Sequence, residues 1–466
     1  MESSKTIGLQ TEKSMRTFWV IWFGQLVSIL GSGMTSFALG VWIFERTGQA
    51  TPFALVALFS TLPRVLLLPV AGSLADRFNR RRIMILSDSG AALVTAFTAL
   101  MLFFGELQIW QIYLISLLSA VFSTFQQPAY TASITMLVPK KDLARASGMQ
   151  QASDAIESIL TPVIAGVLYG LIGISGVILI DAATFLFAVG SLLIVHIPQP
   201  ERLSDAAGET GTGKSVWADV VFGWNYLHAR QGLFGLLWYF ACVNFFLNIS
   251  GALIGPLVLS FGSAAELGTV QTVFGMGLLL GSLAMGAWGG PRRRMQAIFA
   301  SIFLATSGAL ILGLKASTLV ICIGIFIVAF FVPFASALSQ AVFQTKVPPD
   351  LQGRVFAVRS TISHSIMPLA FLLAGPLADK LFEPLMAAGG GLSSTFLGNW
   401  LGVGPGRGIG LMFVLSWILL WGVSLLSMGN SHIRNLEGEI PDAIGEEIPI
   451  QPEEQLAGEF APSRQA

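Results

Sequence analysis

Apolar stretches of about twenty residues or more recur along the whole 466-residue chain, and they constrain its fold more than any other feature. A helix of that length crosses the hydrocarbon layer of a bilayer, which is about 30 Å thick. Only 11% of the residues are charged, against roughly 25% in an average soluble domain. A water-soluble fold could not bury so much apolar surface, so the sequence predicts an all-α membrane protein that contacts the lipid bilayer.

The apolar stretches predict twelve transmembrane helices in two sets of six, at residues 18–197 and 233–428. Residues 1–17 form a polar N-terminal segment, residues 198–232 a linker, and residues 429–466 an acidic tail that we expect to be disordered from Ile433 onward. The predicted helices are 18–44, 52–71, 83–104, 109–137, 148–172, 176–197, 233–261, 267–288, 295–314, 318–345, 356–382 and 409–428.

Basic residues cluster in alternate connections between these helices, which is the pattern of cytoplasmic loops in a plasma-membrane protein. Both termini are therefore expected in the cytoplasm. Arg46, Lys315, Lys380 and Arg407 fall on the other side, and Arg64 within a helix. The basic connections carry Arg77, Arg80, Arg81 and Arg82, then Lys140, Lys141 and Arg145, then Arg292, Arg293 and Arg294, then Lys346 and Arg354.

The two halves also match as sequence, at a constant offset of 209 residues. A duplicated six-helix unit, with the two copies forming facing bundles, accounts for this offset. The matches are Gly72-Ser73-Leu74-Ala75 with Gly281-Ser282-Leu283-Ala284, Val138-Pro139 with Val347-Pro348, Arg145 with Arg354, and Ala165-Gly166 with Ala374-Gly375.

The linker contains two patterns that need interpretation. Residues 208–215 fit the nucleotide-binding pattern G-x-x-x-x-G-K-[ST], but the polar run before them cannot form the buried strand that such a loop must follow. We therefore expect no nucleotide partner. Residues 216–227 place apolar side chains at helical spacing, which indicates either an amphipathic helix on the inner leaflet or a helix packed on the protein's own cytoplasmic ends.

Ionisable residues inside a membrane usually face a cavity, so they are candidates for function. Arg64 is either a substrate-cavity residue or the partner of a buried acid. Asp154 and Glu157 share one helix face, and close carboxylates disfavour double ionisation, so one can hold a proton; alternatively, Asp154 simply contacts water near the inner mouth. Asp181 and His364 are weaker proton-coupling candidates, and a lone histidine is more often a packing residue.

Uncharged polar side chains form stripes on helices 1, 4, 7 and 10, which suggests a common substrate cavity. Interhelical hydrogen bonding is the alternative for each stripe taken singly. The stripes are Gln25, Ser28 and Ser32; Gln126 and Gln127; Asn244 and Asn248; and Ser336, Gln340 and Gln344.

Other functional classes find little support in the sequence. The formal net charge is zero and no basic arm interleaved with aromatics is present, so nucleic acid is not an expected partner. Cys242 and Cys322 lie in apolar stretches, where packing is the expected role, and they supply no metal site. We expect a monomer that is not an enzyme and has no cofactor.

Residues 72–82, Gly-Ser-Leu-Ala-Asp-Arg-Phe-Asn-Arg-Arg-Arg, resemble the signature G-x-L-a-D-r-x-G-r-[RK]-[RK] of the major facilitator superfamily, and the resemblance runs from about residue 18 to 428. Asn79 stands where Gly is usual, and Asn also tolerates a left-handed turn. The family implies that Asp76 stabilises the outward-facing state by contacting the start of helix 11. In the second half Met285 replaces this acid. The expected conformational latch comprises Gly72, Asp76, Arg77, Arg80, Arg81, Arg354 and Arg359.

Within that superfamily, the sequence is similar to the macrolide-efflux and siderophore-export branch of drug:proton antiporters. The stretches that carry this similarity are 24–31, 347–354, 375–379 and 404–410. The resemblance implies alternating access between two bundles, with helices 1, 4, 7 and 10 lining the cavity. The antiporter hallmark of helix 5, roughly G-P-x-x-G-G, is altered here to Thr161-Pro162-Val163-Ile164-Ala165-Gly166.

The leading hypothesis is export of an amphipathic small molecule driven by a proton gradient. Uptake and lipid or lysolipid transport are the nearest alternatives. A membrane sensor that uses its acidic tail, and an ATP-driven pump that uses residues 208–215, belong to other classes.

Overall fold

The computed structural model describes residues 15–105, 107–195 and 216–443. Eleven helices in these ranges are long and apolar enough to cross a membrane, and the same ranges contain no β-strand. They are Met15–Thr47 (span 1), Ala50–Arg77 (span 2), Arg80–Phe103 (span 3), Ile109–Leu137 (span 4), Leu143–Ile194 (spans 5 and 6), Gln231–Leu259 (span 7), Ala264–Trp288 (span 8), Arg294–Leu314 (span 9), Thr318–Lys346 (span 10), Pro349–Leu377 (span 11) and Arg407–Gly429 (span 12).

The helix Leu143–Ile194 supplies two crossings. It contains 52 residues, and a straight helix of that length would be about 78 Å long, more than twice the thickness of the hydrocarbon layer. Its backbone leaves helical geometry at Gly173, where φ is 66° and ψ is −177°, a conformation that glycine adopts without steric cost. The chain turns there, which gives twelve crossings in all. The predicted all-α, twelve-helix membrane fold is confirmed.

Spans 1 to 6 pack into one bundle and spans 7 to 12 into a second. We call the face where span 1 begins and span 12 ends the terminal face, and the opposite one the distal face. The internal repeat is visible in how arginines bind the helix ends at the terminal face. Arg80 donates to the carbonyl of Ala132 in the first bundle, and Arg294 donates to the carbonyl of Ala341 in the second. The two acceptors lie 209 residues apart, whereas the two arginines lie 214 residues apart.

The two bundles meet through spans 5 and 8 and through spans 2 and 11. On span 8, Gly268 lies against the carbonyl oxygen of Pro162, and Gly275 against that of Ser158, so closely that a Cβ at either glycine would overlap the oxygen. The Thr272 hydroxyl donates to the Ile159 carbonyl at 2.8 Å. These contacts extend from the middle of the two helices toward the distal face, so the bundles are joined on that side.

Asn79 does not adopt the left-handed turn that the signature suggested. Its φ and ψ are −63° and 111°, and its side chain accepts a hydrogen bond from the Arg82 backbone N–H at 3.1 Å. Asn79 is therefore the N-cap of span 3, a position that requires extended backbone and a side-chain acceptor. Asparagine tolerates a left-handed turn and also serves as an N-cap, and here it is the N-cap.

The linker helix Val216–His228 packs on span 11 of the same chain. Gly223 lies so close to the span 11 backbone that a Cβ would sit 2.7 Å from the Arg354 carbonyl oxygen, and Leu227 is fully buried. This arrangement favours the interpretation of a helix packed on the protein's own helix ends over one lying on the leaflet. The nucleotide-like segment 208–215 lies outside the described residues, so its rejection stays a prediction.

The prediction of disorder from Ile433 onward is wrong for the described part of the tail. Two short helices, Ser431–Arg434 and Leu436–Glu439, bury Ile433 and Leu436 against the second bundle. The Glu437 carboxylate accepts from the backbone N–H groups at the start of span 9, where a negative charge is favourable. The acidic composition of the tail gave no indication of these contacts with the second bundle. Residues 444–466 lie outside the described ranges.

Candidate functional site

A polar cavity of about 390 Å³ lies inside the first bundle. Its walls carry the stripes predicted on spans 1 and 4, together with charged side chains of spans 2, 5 and 6. The polar residues that line it include Gln25, Ser28, Ser32, Arg64, Gln126, Gln127, Tyr130, Asp154, Glu157 and Asp181. The structure therefore brings together most of the residues that the sequence singled out in this half.

Arg64 projects into this cavity from the middle of span 2. It lies about 20 Å from either end of that helix, at 1.5 Å per residue. No hydrogen bond or ion pair of its guanidinium is found among the described residues, but it interacts electrostatically with Asp154. A cation held at this depth beside a carboxylate fits a cavity group better than a closed structural pair.

Asp154 and Glu157 lie one helical turn apart on span 5 and face the cavity together. Both also line a second cavity, of about 560 Å³, between the two bundles. The opposite wall of that second cavity is mainly apolar and includes Ile254, Phe274 and Ile325 of spans 7, 8 and 10. The carboxylate pair therefore stands at the junction between a polar cavity and an amphipathic one.

Asp181 is almost fully buried at the wall of the polar cavity. Hydroxyl groups surround its carboxylate: Thr35 donates at 2.8 Å, Thr95 at 3.3 Å, and Ser32 and Thr184 at 3.4 Å. These donors come from spans 1, 3 and 6. Asp181 therefore has hydrogen-bond partners on three helices for its buried carboxyl group.

Asp88 of span 3 is an equally buried acid that the sequence reasoning missed. Gln25 donates to its carboxylate at 3.0 Å, and Gln126 donates both to that carboxylate and to the Gln25 side-chain oxygen. Asp88 thus orients the two cavity glutamines of spans 1 and 4. The rule that flags an ionisable residue within an apolar helix would have found it at its place in predicted helix 83–104.

The second bundle contains a smaller cavity of about 100 Å³, lined by Asn244, Ser336 and Arg359 among others. The Arg359 guanidinium donates to the side chains of Gln340 and Ser339 at 2.8 and 3.2 Å. Asn248 instead donates to the Asn244 carbonyl of its own helix. The stripes of spans 7 and 10 are therefore only partly brought to a cavity.

His364 lies apart from the acids of the first bundle. It is exposed on span 11, and its Nδ1 lies 2.7 Å from the carbonyl oxygen of Ser360 on the same helix. This position gives it no contact with Asp154, Glu157 or Asp181 among the described hydrogen bonds.

The expected latch residues lie near the terminal face. Arg80 and Arg81 donate to backbone carbonyls at the ends of spans 4 and 6, while Arg77 is exposed and Gly72 has open space beside it. Arg354 stacks on Phe222 of the linker helix, and Arg359 faces span 10. The side chain of Asp76 lies outside the described structure, so the latch stays a prediction.

Comparison with known proteins identifies the family. The model of the Major Facilitator Superfamily matches residues 21–371. Macrolide efflux protein A of Streptococcus pyogenes is 29% identical over 370 residues, which are 78% of this chain and 90% of that protein. The multidrug efflux pump Tap of Mycolicibacterium fortuitum is 25% identical over 386 residues, 81% of this chain and 91% of the pump.

A solved structure with the same fold is that of a bacterial homologue of the human lysosomal transporter Spinster in an inward-facing, unoccupied conformation. The TM-score is 0.63 with 16% sequence identity, over 89% of this chain and 96% of that one. At this identity the likeness establishes the fold alone.

Proposed function

The chain belongs to the major facilitator superfamily, and on that premise we propose that it exports amphipathic small molecules in exchange for protons. It is a multi-pass membrane transporter related to efflux proteins. The proposal has three parts: transport is coupled to protons, it runs outward, and its substrate is an amphipathic small molecule.

The observation that carries this proposal is the position of Asp154 and Glu157, which line both the polar cavity and the cavity between the bundles. Antiport requires a group that binds a proton and a substrate by turns. Two carboxylates one turn apart can share a proton, because mutual repulsion disfavours ionising both. The same oxygens can accept hydrogen bonds from the ammonium or hydroxyl groups of a substrate. Arg64 adds a positive charge that partly balances the two carboxylates.

An amphipathic substrate fits the cavity between the bundles. A volume of about 560 Å³ lies within the roughly 300–1,000 Å³ that is usual for sites that bind drug-sized ligands. Ile254, Phe274 and Ile325 offer an apolar surface on one side, and the carboxylates offer a polar surface on the other. The similarity to macrolide efflux protein A makes a macrolide the first substrate to test.

The basic residues of the connections support the proposed orientation, with the terminal face in the cytoplasm. The contacts between the bundles lie toward the distal face, which under this orientation is the outer one, and we therefore interpret this conformation as closed to the outside. A proton gradient across the plasma membrane then supplies the driving force, without a nucleotide or another cofactor, and a monomer suffices for this mechanism.

Efflux from whole cells tests this function. Cells of a host that lacks its own macrolide pumps are loaded with a radiolabelled macrolide, and retained label is followed with and without this protein. We expect faster loss of label in expressing cells and block by a protonophore at unchanged ATP, with a Lys214→Ala variant as active as wild type. Efflux that resists the protonophore but needs ATP and Lys214 would contradict the proposal.

A further inference from the structure

One carboxylate joins the two bundles at the distal face. Asp379, just after span 11, accepts hydrogen bonds from the backbone N–H groups of Ala50 and Thr51 at 2.8 and 2.7 Å, one on each carboxylate oxygen. Ala50 and Thr51 begin span 2 of the first bundle, whereas Asp379 belongs to the second. This contact therefore spans the interface between the two bundles, and it must break if they move apart at this face.

The start of span 2 depends on this partner for capping. Gln49, the N-cap residue, makes no side-chain capping bond in the described structure. The first N–H groups of a helix have no acceptor within the helix, and the helix dipole favours a negative charge at this end. Asp379 thus caps the start of span 2 from the other bundle, and each of its two carboxylate oxygens accepts one backbone hydrogen bond.

The surrounding packing holds Asp379 in place. Gly375, one turn earlier, lies so near span 2 that a Cβ there would be 2.4 Å from the Cα of Thr51, a backbone atom that cannot swing aside. Ala374 and Ala378 are fully buried, and Ala50 nearly so. Residues Ala378–Phe382 form a single π-helical turn, a feature found mostly at functional positions of helices.

We propose that Asp379 is a positioning residue for transport, a latch that holds the distal face closed and must release span 2 before that face can open. Spans 2 and 11 run in opposite directions, so the Asp379 end of span 11 meets the start of span 2. At the terminal face, the resemblance to the family predicts the reciprocal contact, from Asp76 of span 2 to the start of span 11. One pair of helices would then carry a latch at each end, formed in alternate states.

The inference rests on the proposed function only in that the bundles alternate between two states; it does not depend on the substrate or on proton coupling. Glu383 provides a matched control. Its carboxylate also accepts two backbone N–H groups, from Gly406 at 3.1 Å and Ile409 at 3.0 Å, at the same face of the molecule. Both partners of Glu383 belong to its own bundle, so its loss removes a similar contact without freeing the bundles.

The test measures the positions of the bundles by distances between spin labels on purified protein in lipid nanodiscs, without substrate. Cys242 and Cys322 are replaced by alanine. Labels on cysteines introduced at Trp110 and Lys315 measure the distance between the bundles at the distal face. Labels introduced in the same way at Lys141 and Arg293 measure it at the terminal face. Each pair is measured in the wild-type background and with Asp379→Asn, Asp379→Ala and Glu383→Gln.

We expect Asp379→Ala to lower the ratio of distal-closed to distal-open molecules by about tenfold, and Asp379→Asn to lower it less, because one amide oxygen can still accept. The distal distance should lengthen as the terminal distance shortens, and Glu383→Gln should leave both distributions as in wild type. Unchanged distances in the Asp379 variants, or an equal shift in Glu383→Gln, would overturn the proposal.

A second measurement leaves Asp379 intact. Cysteines at Gln49 and Lys380, next to the bonded residues, are joined by a short cleavable thiol crosslinker. If the latch must open in each cycle, crosslinked protein should lose macrolide transport and regain it on cleavage. Full transport by crosslinked protein would overturn the latch, whereas absence of transport before crosslinking would refute the proposed function and leave the distance measurement valid.

Discussion

At the scale of single residues, Asp88 and Asp181 of the first bundle are deeply buried carboxylates with different kinds of partners. Asp181 accepts from hydroxyl groups of four side chains, and Asp88 accepts from the amides of Gln25 and Gln126. Residues of both sets line the polar cavity, but the amides come from spans 1 and 4 and the hydroxyls from spans 1, 3 and 6. Asp181 therefore ties helices together, and Asp88 sets the orientation of cavity side chains.

The hydroxyl shell of Asp181 gives a stability prediction. Asp181→Leu removes the shared acceptor and leaves buried hydroxyls without it, so we expect a loss of about 2–4 kcal/mol in the free energy of unfolding. Asp181→Asn keeps the size and one acceptor oxygen and should cost roughly half as much or less. Thermal unfolding of the purified variants in detergent measures the difference. Equal unfolding temperatures for the leucine and wild-type proteins would contradict the assigned role.

The sequence identified most residues of this site but not their partners. A charged residue in an apolar helix is visible in the sequence, which is why Arg64, Asp154, Glu157 and Asp181 could be named. Which side chains meet depends on how each helix is rotated against its neighbours, and spacing along one helix does not determine that. The hydrogen bonds between Asp88 and the glutamines of two other helices depend on such rotations, so the sequence did not predict them.

At the scale of helices, hydropathy located the spans well and their ends less well. Span 11 was predicted from residue 356 but begins at Pro349, because its first turns carry Asp350, Gln352 and Arg354. Polar helix ends extend beyond the hydrocarbon layer, and an apolar-length criterion does not count them. The described part of the tail shows the opposite error, since Ile433 and Leu436 anchor a segment whose composition is mostly polar.

Close packing of spans 5 and 8 depends on glycine at single positions. A Cβ at Gly268 would lie 2.3 Å from the Pro162 carbonyl oxygen, whereas Gly286, on the same helix, has open space beside it. We expect Gly268→Ala to lower the free energy of unfolding by about 1–3 kcal/mol through overpacking. Gly286→Ala should be neutral or stabilise by up to about 1 kcal/mol, because alanine favours the helix. Thermal unfolding of the two variants checks this pair, and equal destabilisation by both would refute the packing argument.

At the scale of the whole molecule, the internal repeat predicted two related bundles. Ala132 and Ala341, whose carbonyls each accept from an arginine, lie at its 209-residue offset. The distribution of charge does not follow the repeat. Asp88, Asp154, Glu157 and Asp181 all lie in the first bundle, while the cavity of the second contains Arg359. This asymmetry agrees with the proposal that the first bundle exchanges protons and that the second provides apolar surface to the substrate.

The central claim is that transport couples to protons through Asp154 and Glu157, and reconstituted vesicles that trap a pH-sensitive dye test it directly. A pH gradient is imposed without ATP, and a macrolide is added. Wild-type protein should dissipate the gradient on addition, as should Asp142→Asn, which alters an acid at the start of span 5 outside the cavity. The double variant Asp154→Asn, Glu157→Gln should slow this proton movement at least about 100-fold, a typical loss for removing a group that transfers a proton. Proton movement at the wild-type rate in the double variant would contradict the account.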